Sequence, residues 1–243
     1  MVEREVFGRD GFAIVPNVLT RSAVAELLTA HAALEASRGP TRHAGLRNLL
    51  RESPEVAAAA ADPAVVRLVT PILGPGAFPV RALFFDKTPD ANWKVPWHQD
   101  LAIAVAKRVD TEGFTAWSVK EGVPHVHPPA TLLERMVTVR LHLDDSGADN
   151  GPLRVLPGSH RHGRLEHEAI GVWKTRGNEV ICVVPRGGVL IMRPLLFHAS
   201  SAASQPGHRR VLHLEFAAES LPGGLRWAGA PDRAHLFTVT GRG

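Results

Sequence analysis

Met136-Val137-Thr138-Val139-Arg140-Leu141-His142-Leu143-Asp144 has the alternation of a β-strand. Successive side chains on a strand point to opposite faces. Val137, Val139, Leu141 and Leu143 therefore share one face, and Thr138, Arg140, His142 and Asp144 the other. Arg209 to Phe216 repeats the pattern, with Leu212, Leu214 and Phe216 opposite Arg209, His213 and Glu215. Gly188 to Met192 is a continuous apolar run of strand length. Asp149-Asn150-Gly151-Pro152, Leu156-Pro157-Gly158-Ser159 and Pro185-Arg186-Gly187-Gly188 supply turns between such segments. The charged faces of the two alternating strands point either to water or into a wet, ligand-bearing interior, and the alternation alone does not choose.

Upstream the period changes. Thr20 is placed to cap a helix carrying Val24, Leu27, Leu28 and Leu34 at helical spacing. Ser53-Pro54-Glu55 and Asp62-Pro63 each pair a capping side chain with Pro at the first helical position. Ala57 to Ala61 favours helix, and Gly74 ends the run that follows Pro63. Helices followed by strands predict a mainly β fold with α, its helices packed on one face of a sandwich or barrel. The 243 residues suit a single domain, with 1–75 mainly helical, 80–217 the β core, and 102–130 a lid-like connection without clear periodicity.

Composition narrows the function. The chain is 44% hydrophobic and 21% charged, as globular domains are. No apolar run approaches the length of about 18 residues that spans a bilayer. No apolar signal core follows Met1, and Cys182 is the only cysteine, so a cytoplasmic, reducing location is expected. The net charge of +4 comes from scattered arginines, without the clustered basic face and stacking aromatics of a nucleic-acid surface. The thirteen histidines turn attention to metal chemistry.

On a strand, His-x-Asp presents two ligands on one face, two-thirds of a 2-His-1-carboxylate triad. His98-Gln99-Asp100, His142-Leu143-Asp144 and His213-Leu214-Glu215 all fit, a number that chance alone produces. The last two lie inside regular alternating strands, where polar residues on a sheet face are the simpler reading. His98-Gln99-Asp100 follows Val95-Pro96-Trp97 at a strand end beside the long connection, which suits an open site.

Val95-Pro96-Trp97-His98-Gln99-Asp100 resembles the Pro-Trp-His-x-Asp signature of the phytanoyl-CoA dioxygenase family, which includes ectoine hydroxylases. Asn150 to His160 is similar to the family's Asn-Gly and Pro-Gly-Ser-His segment. His198-Ala199-Ser200, with Arg209 eleven residues after the histidine, resembles its distal ligand and co-substrate anchor, and Phe12 to Val18 its N-terminal opening. The matches cover residues 5 to 217 in the family's order.

The resemblance implies a double-stranded β-helix (jelly roll) and a non-haem Fe(II) oxygenase using 2-oxoglutarate and O2 and releasing succinate and CO2. His98, Asp100 and His198 would be the iron ligands. Arg209 would pair with the distal carboxylate of 2-oxoglutarate, helped by Ser200. Arg210 is its rival, but falls with the apolar face. Lys87 matches a position where relatives keep a basic residue near the co-substrate. A carboxylate at Asp100, where related halogenases have a small residue, implies hydroxylation or another oxidative outcome. Arg140, Arg193 and Trp97 are candidates for substrate contact, and positive charge from Lys87, Arg140 and Arg193 suits a small anionic substrate. Packing is the simpler reading for Trp97, Gln99 and Trp117. His160 is expected to stabilise a turn, and His125 and His127 to be solvated loop residues. The competing reading is a cupin-like metal-binding jelly roll, an isomerase or sensor without oxygenase activity.

Overall fold

The computed structural model describes residues 2–38, 45–166, 168–175 and 178–229. The helical part comprises α1 (Arg4–Asp10), α2 (Arg21–Arg38), α3 (Leu49–Glu52), α4 (Pro54–Ala61) and α5 (Pro63–Leu73), with strand β1 (Phe12–Val15) after α1. There follow β2 (Phe78–Lys87), β3 (Val95–His98), β4 (Ile103–Ala104), β5 (Thr115–Lys120), β6 (Val123–His127), α6 (Ala130–Leu133), β7 (Val137–His142) and β8 (Leu153–Val155). A 3-10 turn (Ser159–His162), α7 (Ala169–Thr175), β9 (Val180–Cys182), β10 (Val189–Met192), β11 (His198–Ser200) and β12 (Arg209–Ala217) complete the described chain.

The caps form as expected. Thr20 Oγ1 accepts the Ala23 N–H at 3.1 Å, Ser53 Oγ that of Val56 at 3.3 Å, and Asp62 Oδ1 that of Ala64 at 2.6 Å. Each satisfies a helix-end donor that has no partner within the helix.

The β core is a jelly roll of two antiparallel sheets, one ordered β1-β10-β7-β12-β2 and the other β3-β11-β8-β9. Val137, Val139, Leu141, Leu212, Leu214 and Phe216 pack with Phe7, Val24, Leu27, Val56, Val65 and Val69 from the helices. The helices thus cover the outer face of the five-stranded sheet. Burying such side chains contributes about 1.5–3 kcal/mol each, so the register is strongly fixed: a one-residue slip would drive Arg140 and His142 into the helices. The inner apolar layer joins the sheets through Leu153, Val155 and Cys182 on one side and Leu190 and Met192 on the other.

Two expectations change. Residues 12–15, read only as part of a helical third, form β1, which pairs with β10 at the edge of the larger sheet. Residues 102–130 carry a three-stranded sheet ordered β4-β6-β5, packed through Ile103, Val105 and Val126 on Leu132, Leu133 and Trp227. Irregular pairing between Thr115 and Ser118 and very short strands hide its period. Among the described residues no single helix is long and apolar enough to cross a membrane.

Candidate metal centre

The charged strand faces turn inward. Thr138, Arg140 and His142 on β7 and Arg209, His213 and Glu215 on β12 are all buried, as is Lys87 on β2. The pairing of β12 with its neighbours sets Arg209 opposite Lys87 and His213 opposite Arg140. These groups face the smaller sheet, where β3 and β11 bring His98 directly opposite His198.

His98, Asp100 and His198 converge, with one potential ligand atom from each within 4.8 Å of the others. The rings of His98 and His198 lie 4.1 Å apart. Nε2 of His98 is 3.8 Å from Asp100 Oδ1, and Nε2 of His198 is 3.7 Å from Oδ2. Nδ1 of each ring lies 2.8 Å from the carbonyl oxygen two residues earlier, Pro96 for His98 and Leu196 for His198. A carbonyl only accepts, so Nδ1 carries the proton and Nε2 offers its lone pair, the tautomer a metal ligand requires. Burial lowers His198 to about 3, keeping it neutral. Burial pushes Asp100 the other way, but at the acid pH where it titrates the protonated rings of its neighbours, His198 first, together with Arg140, outweigh burial and hold the carboxyl at about 2. Asp100 Oδ2 has no hydrogen-bond partner among the described residues. A buried carboxylate oxygen facing two imidazole lone pairs fits a divalent cation. The side chains of His98 and Asp100 are 37% and 31% exposed, against 5% for His198, so the centre is open on the side of the β3 end.

Beside the triad is a basic cradle. Lys87 Nζ donates to Ser200 Oγ at 3.1 Å and to the Ser201 carbonyl at 2.6 Å. Arg209 donates to the Gly151 carbonyl at 2.6 Å, while its Nε is buried without a partner among the described residues. Burial, then the charge of Arg140, lowers Arg209 to about 9; burial, then Arg209 and Arg140, lowers Lys87 to about 7. Lys87, Arg140 and Arg209 lie close together, and none of them makes a direct ion pair with a carboxylate among the described residues, so the cradle suits an incoming carboxylate. Arg210 points the other way and is held by both oxygens of Asp144 at 2.8 Å, which separates it from Arg209.

The candidates for substrate contact divide. Arg140 donates to His213 Nδ1 at 2.8 Å, His213 Nε2 lies 3.4 Å from Glu215, and Glu215 pairs with Arg81 at 2.9 Å. This chain holds Arg140 over the Phe85 ring, within electrostatic reach of Asp100. Arg193 does not face the cavity: it donates to the carbonyls of Glu134 and Met136 and lies over Phe7. Trp97 is likewise removed from the site, because alternation on β3 turns it away from His98 into a cluster with Leu156, Ile170 and Phe197, under Arg154. Gln99 donates to the Gly163 and Leu195 carbonyls and accepts from the Leu165 N–H, a loop clamp. His160 contacts the Gly8 carbonyl at 3.2 Å, holding its turn, and Trp117 packs under Arg108. His125 is not solvated: it is buried on β6, and burial lowers it to about 4.

Sequence reasoning missed the Arg81–Glu215–His213–Arg140 chain and the role of Gly151. Gly151 has φ +58°, and its carbonyl receives Arg209. A cavity of about 260 Å³, lined by Arg47, Arg81, Val105, Pro124 and His125 among others, opens where 102–130 meets the edge of β2.

A profile of the phytanoyl-CoA dioxygenase family matches residues 7–211. The chain belongs to that family. An ectoine dioxygenase of Stutzerimonas stutzeri (strain A1501) is 25% identical over 177 residues, 67% of this chain and 50% of the relative. The chain thus spans about half the length of this curated relative. Among solved structures, AviO1 from Streptomyces viridochromogenes Tue57 superposes with a TM-score of 0.65 at 22% identity, covering 91% of this chain and 98% of that one. EctD from S. alaskensis, solved with 2-oxoglutarate and 5-hydroxyectoine, gives a TM-score of 0.69 at 20% identity over 88% of this chain and 74% of its own. Both share the fold described above.

Proposed function

We propose that this phytanoyl-CoA dioxygenase family member is a non-haem Fe(II)- and 2-oxoglutarate-dependent dioxygenase that hydroxylates a small molecule. The overall conversion is substrate, 2-oxoglutarate and O2 to hydroxylated product, succinate and CO2. The observation that carries the reading is the adjacency of two preformed parts: an open His98–Asp100–His198 triad, and the Lys87–Ser200–Arg209 cradle. A cupin-like isomerase or sensor would need the first but has no use for the second.

His98, Asp100 and His198 are the residues that would hold iron. When bound, iron supplies activation of O2. Arg209 and Lys87 bind the distal carboxylate of 2-oxoglutarate, with Ser200 Oγ as a third polar contact, and so fix its distance from the triad. Arg140, held by His213, orients the neighbouring reactant. The packed apolar layer below the polar residues keeps bulk water from the cradle. Arg140, within electrostatic reach of Asp100, supports a small, anionic substrate. We further read residues 1–243 as one dioxygenase domain working in the cytoplasm, where a lone buried Cys182 suits a reducing environment.

The test is calorimetric binding of 2-oxoglutarate to metal-loaded, oxygen-free protein, followed by succinate measurement after oxygen is admitted. The reading expects binding that depends on the metal and succinate formation that depends on oxygen. Metal-loaded protein that ignores 2-oxoglutarate would leave the cupin-like alternative standing.

A further inference from the structure

Away from the triad, on the outer face of the larger sheet, His31, Glu35 and Asp86 also bring one potential ligand atom each within 4.8 Å of one another. His31 and Glu35 are one helical turn apart on α2, the spacing at which two side chains share a face. Asp86 lies on β2, its side chain on the opposite face to that of Lys87. A fourth donor completes the set: His208, just before β12, has Nδ1 2.7 Å from Asp86 Oδ2.

Within this group only His208 and Asp86 make a close pair, at 2.7 Å. Nδ1 of His31 is 3.4 Å from Glu35, longer than a good hydrogen bond. His31 is buried edge-on against Phe84, at 5.0 Å between ring centres, and burial lowers its pKa, so it presents a neutral ring to Glu35 and Asp86. Arg210 is held by both oxygens of Asp144, and its charge also acts favourably on Asp86 and Glu35 from outside the group. Two carboxylates and two imidazoles from three separate segments form a mixed N/O donor set of the kind that takes a borderline divalent ion in tetrahedral geometry.

We infer that His31, Glu35, Asp86 and His208 form a second divalent-cation site, of Zn2+ type, that fastens α2 to the β2–β12 pair. Tetrahedral ligation at about 2.0–2.2 Å sets neighbouring donors roughly 3.4 Å apart, the present His31–Glu35 separation, so the exposed His208 side chain would rotate to release its 2.7 Å contact with Asp86. Asp86 Oδ1 also accepts the backbone N–H of Arg209 at 3.2 Å, so the ion would stiffen the strand end that carries the proposed co-substrate anchor. The site stands independently of the proposed activity.

The test uses the full chain carrying His98→Ala and Asp100→Ala, which removes the first centre, and titrates it with Co2+ alone. One equivalent should bind with the visible ligand-field bands of a tetrahedral site and raise the thermal midpoint. Adding Glu35→Gln and His208→Gln, both at exposed side chains, should abolish the bands and weaken binding by more than about tenfold. Absence of a bound equivalent, or binding and bands unchanged by the second pair of substitutions, overturns the inference. Circular dichroism of all variants separates either result from loss of fold.

Discussion

His98 and His198 stand opposite each other in the β3–β11 pairing, their ring centres 4.1 Å apart, each ring anchored at Nδ1 by a carbonyl of its own strand or loop. The two Nε2 atoms therefore converge on Asp100 without any induced change. Second contacts of this kind fix tautomer and ring plane before the metal arrives. The centre is preorganised by backbone rather than by other side chains, which confines its tuning to the neighbouring cradle.

Arg209→Ala should raise the KM for 2-oxoglutarate by about 30-fold or more, since truncating one member of a buried charge pair costs about 2–5 kcal/mol. Anaerobic metal affinity should stay within about threefold of the parent chain, because Arg209 touches no ligand of the triad. Arg209→Lys should recover only part of the loss, as the ammonium lacks the planar fork. Equal losses of metal and co-substrate affinity would refute the assignment.

Lys87 gives the site a pH dependence. Its folded value of about 7 lies below the ordinary 10.5, owing to burial and then to Arg209 and Arg140. Between those values the unfolded chain binds the extra proton, so the ligand-free protein should gain stability as pH rises through that window. A bound carboxylate favours the ammonium, so binding should take up a proton and weaken above neutrality. Calorimetry in buffers of different ionisation enthalpy measures the uptake. Lys87→Met should flatten both trends, and a parent chain with no proton uptake above neutrality would rule Lys87 out.

His142 has both ring nitrogens buried without a partner among the described residues, and burial holds it neutral. Replacing an unsatisfied buried polar group with an apolar one of similar size is near neutral or stabilising. His142→Leu should therefore keep or raise the denaturation midpoint of the ligand-free protein. A drop in stability beyond about 1 kcal/mol would mean the imidazole already has a partner in solution.

Gly151→Ala should be damaging out of proportion to its size. At φ +58° a side chain is strained, and a Cβ there would lie 2.6 Å from the Ser201 carbonyl oxygen and 3.2 Å from Lys87 Nζ. A loss of about 1–3 kcal/mol in chemical denaturation is expected, with a higher KM for 2-oxoglutarate. Unchanged values for both would show that the loop relaxes freely.

The alternation of Val137 to Asp144, the capping residues Thr20, Ser53 and Asp62, and the turn clusters made the helical support and the β core legible in the sequence. All are local signals, set by the direction of successive side chains and by the orphan donors of helix ends. The Pro-Trp-His-x-Asp segment and the later histidine and arginine also pointed to the triad and to Arg209. Tertiary structure decided the rest. Only pairing between distant strands shows that Arg140, His142 and His213 face inward, because alternation separates two faces without saying which is buried. It turned Arg193 toward Phe7 and Trp97 into its own cluster, since a residue next to a ligand in the chain can point to the opposite side. It also gathered His31, Glu35, Asp86 and His208, whose separation along the chain leaves no periodic trace.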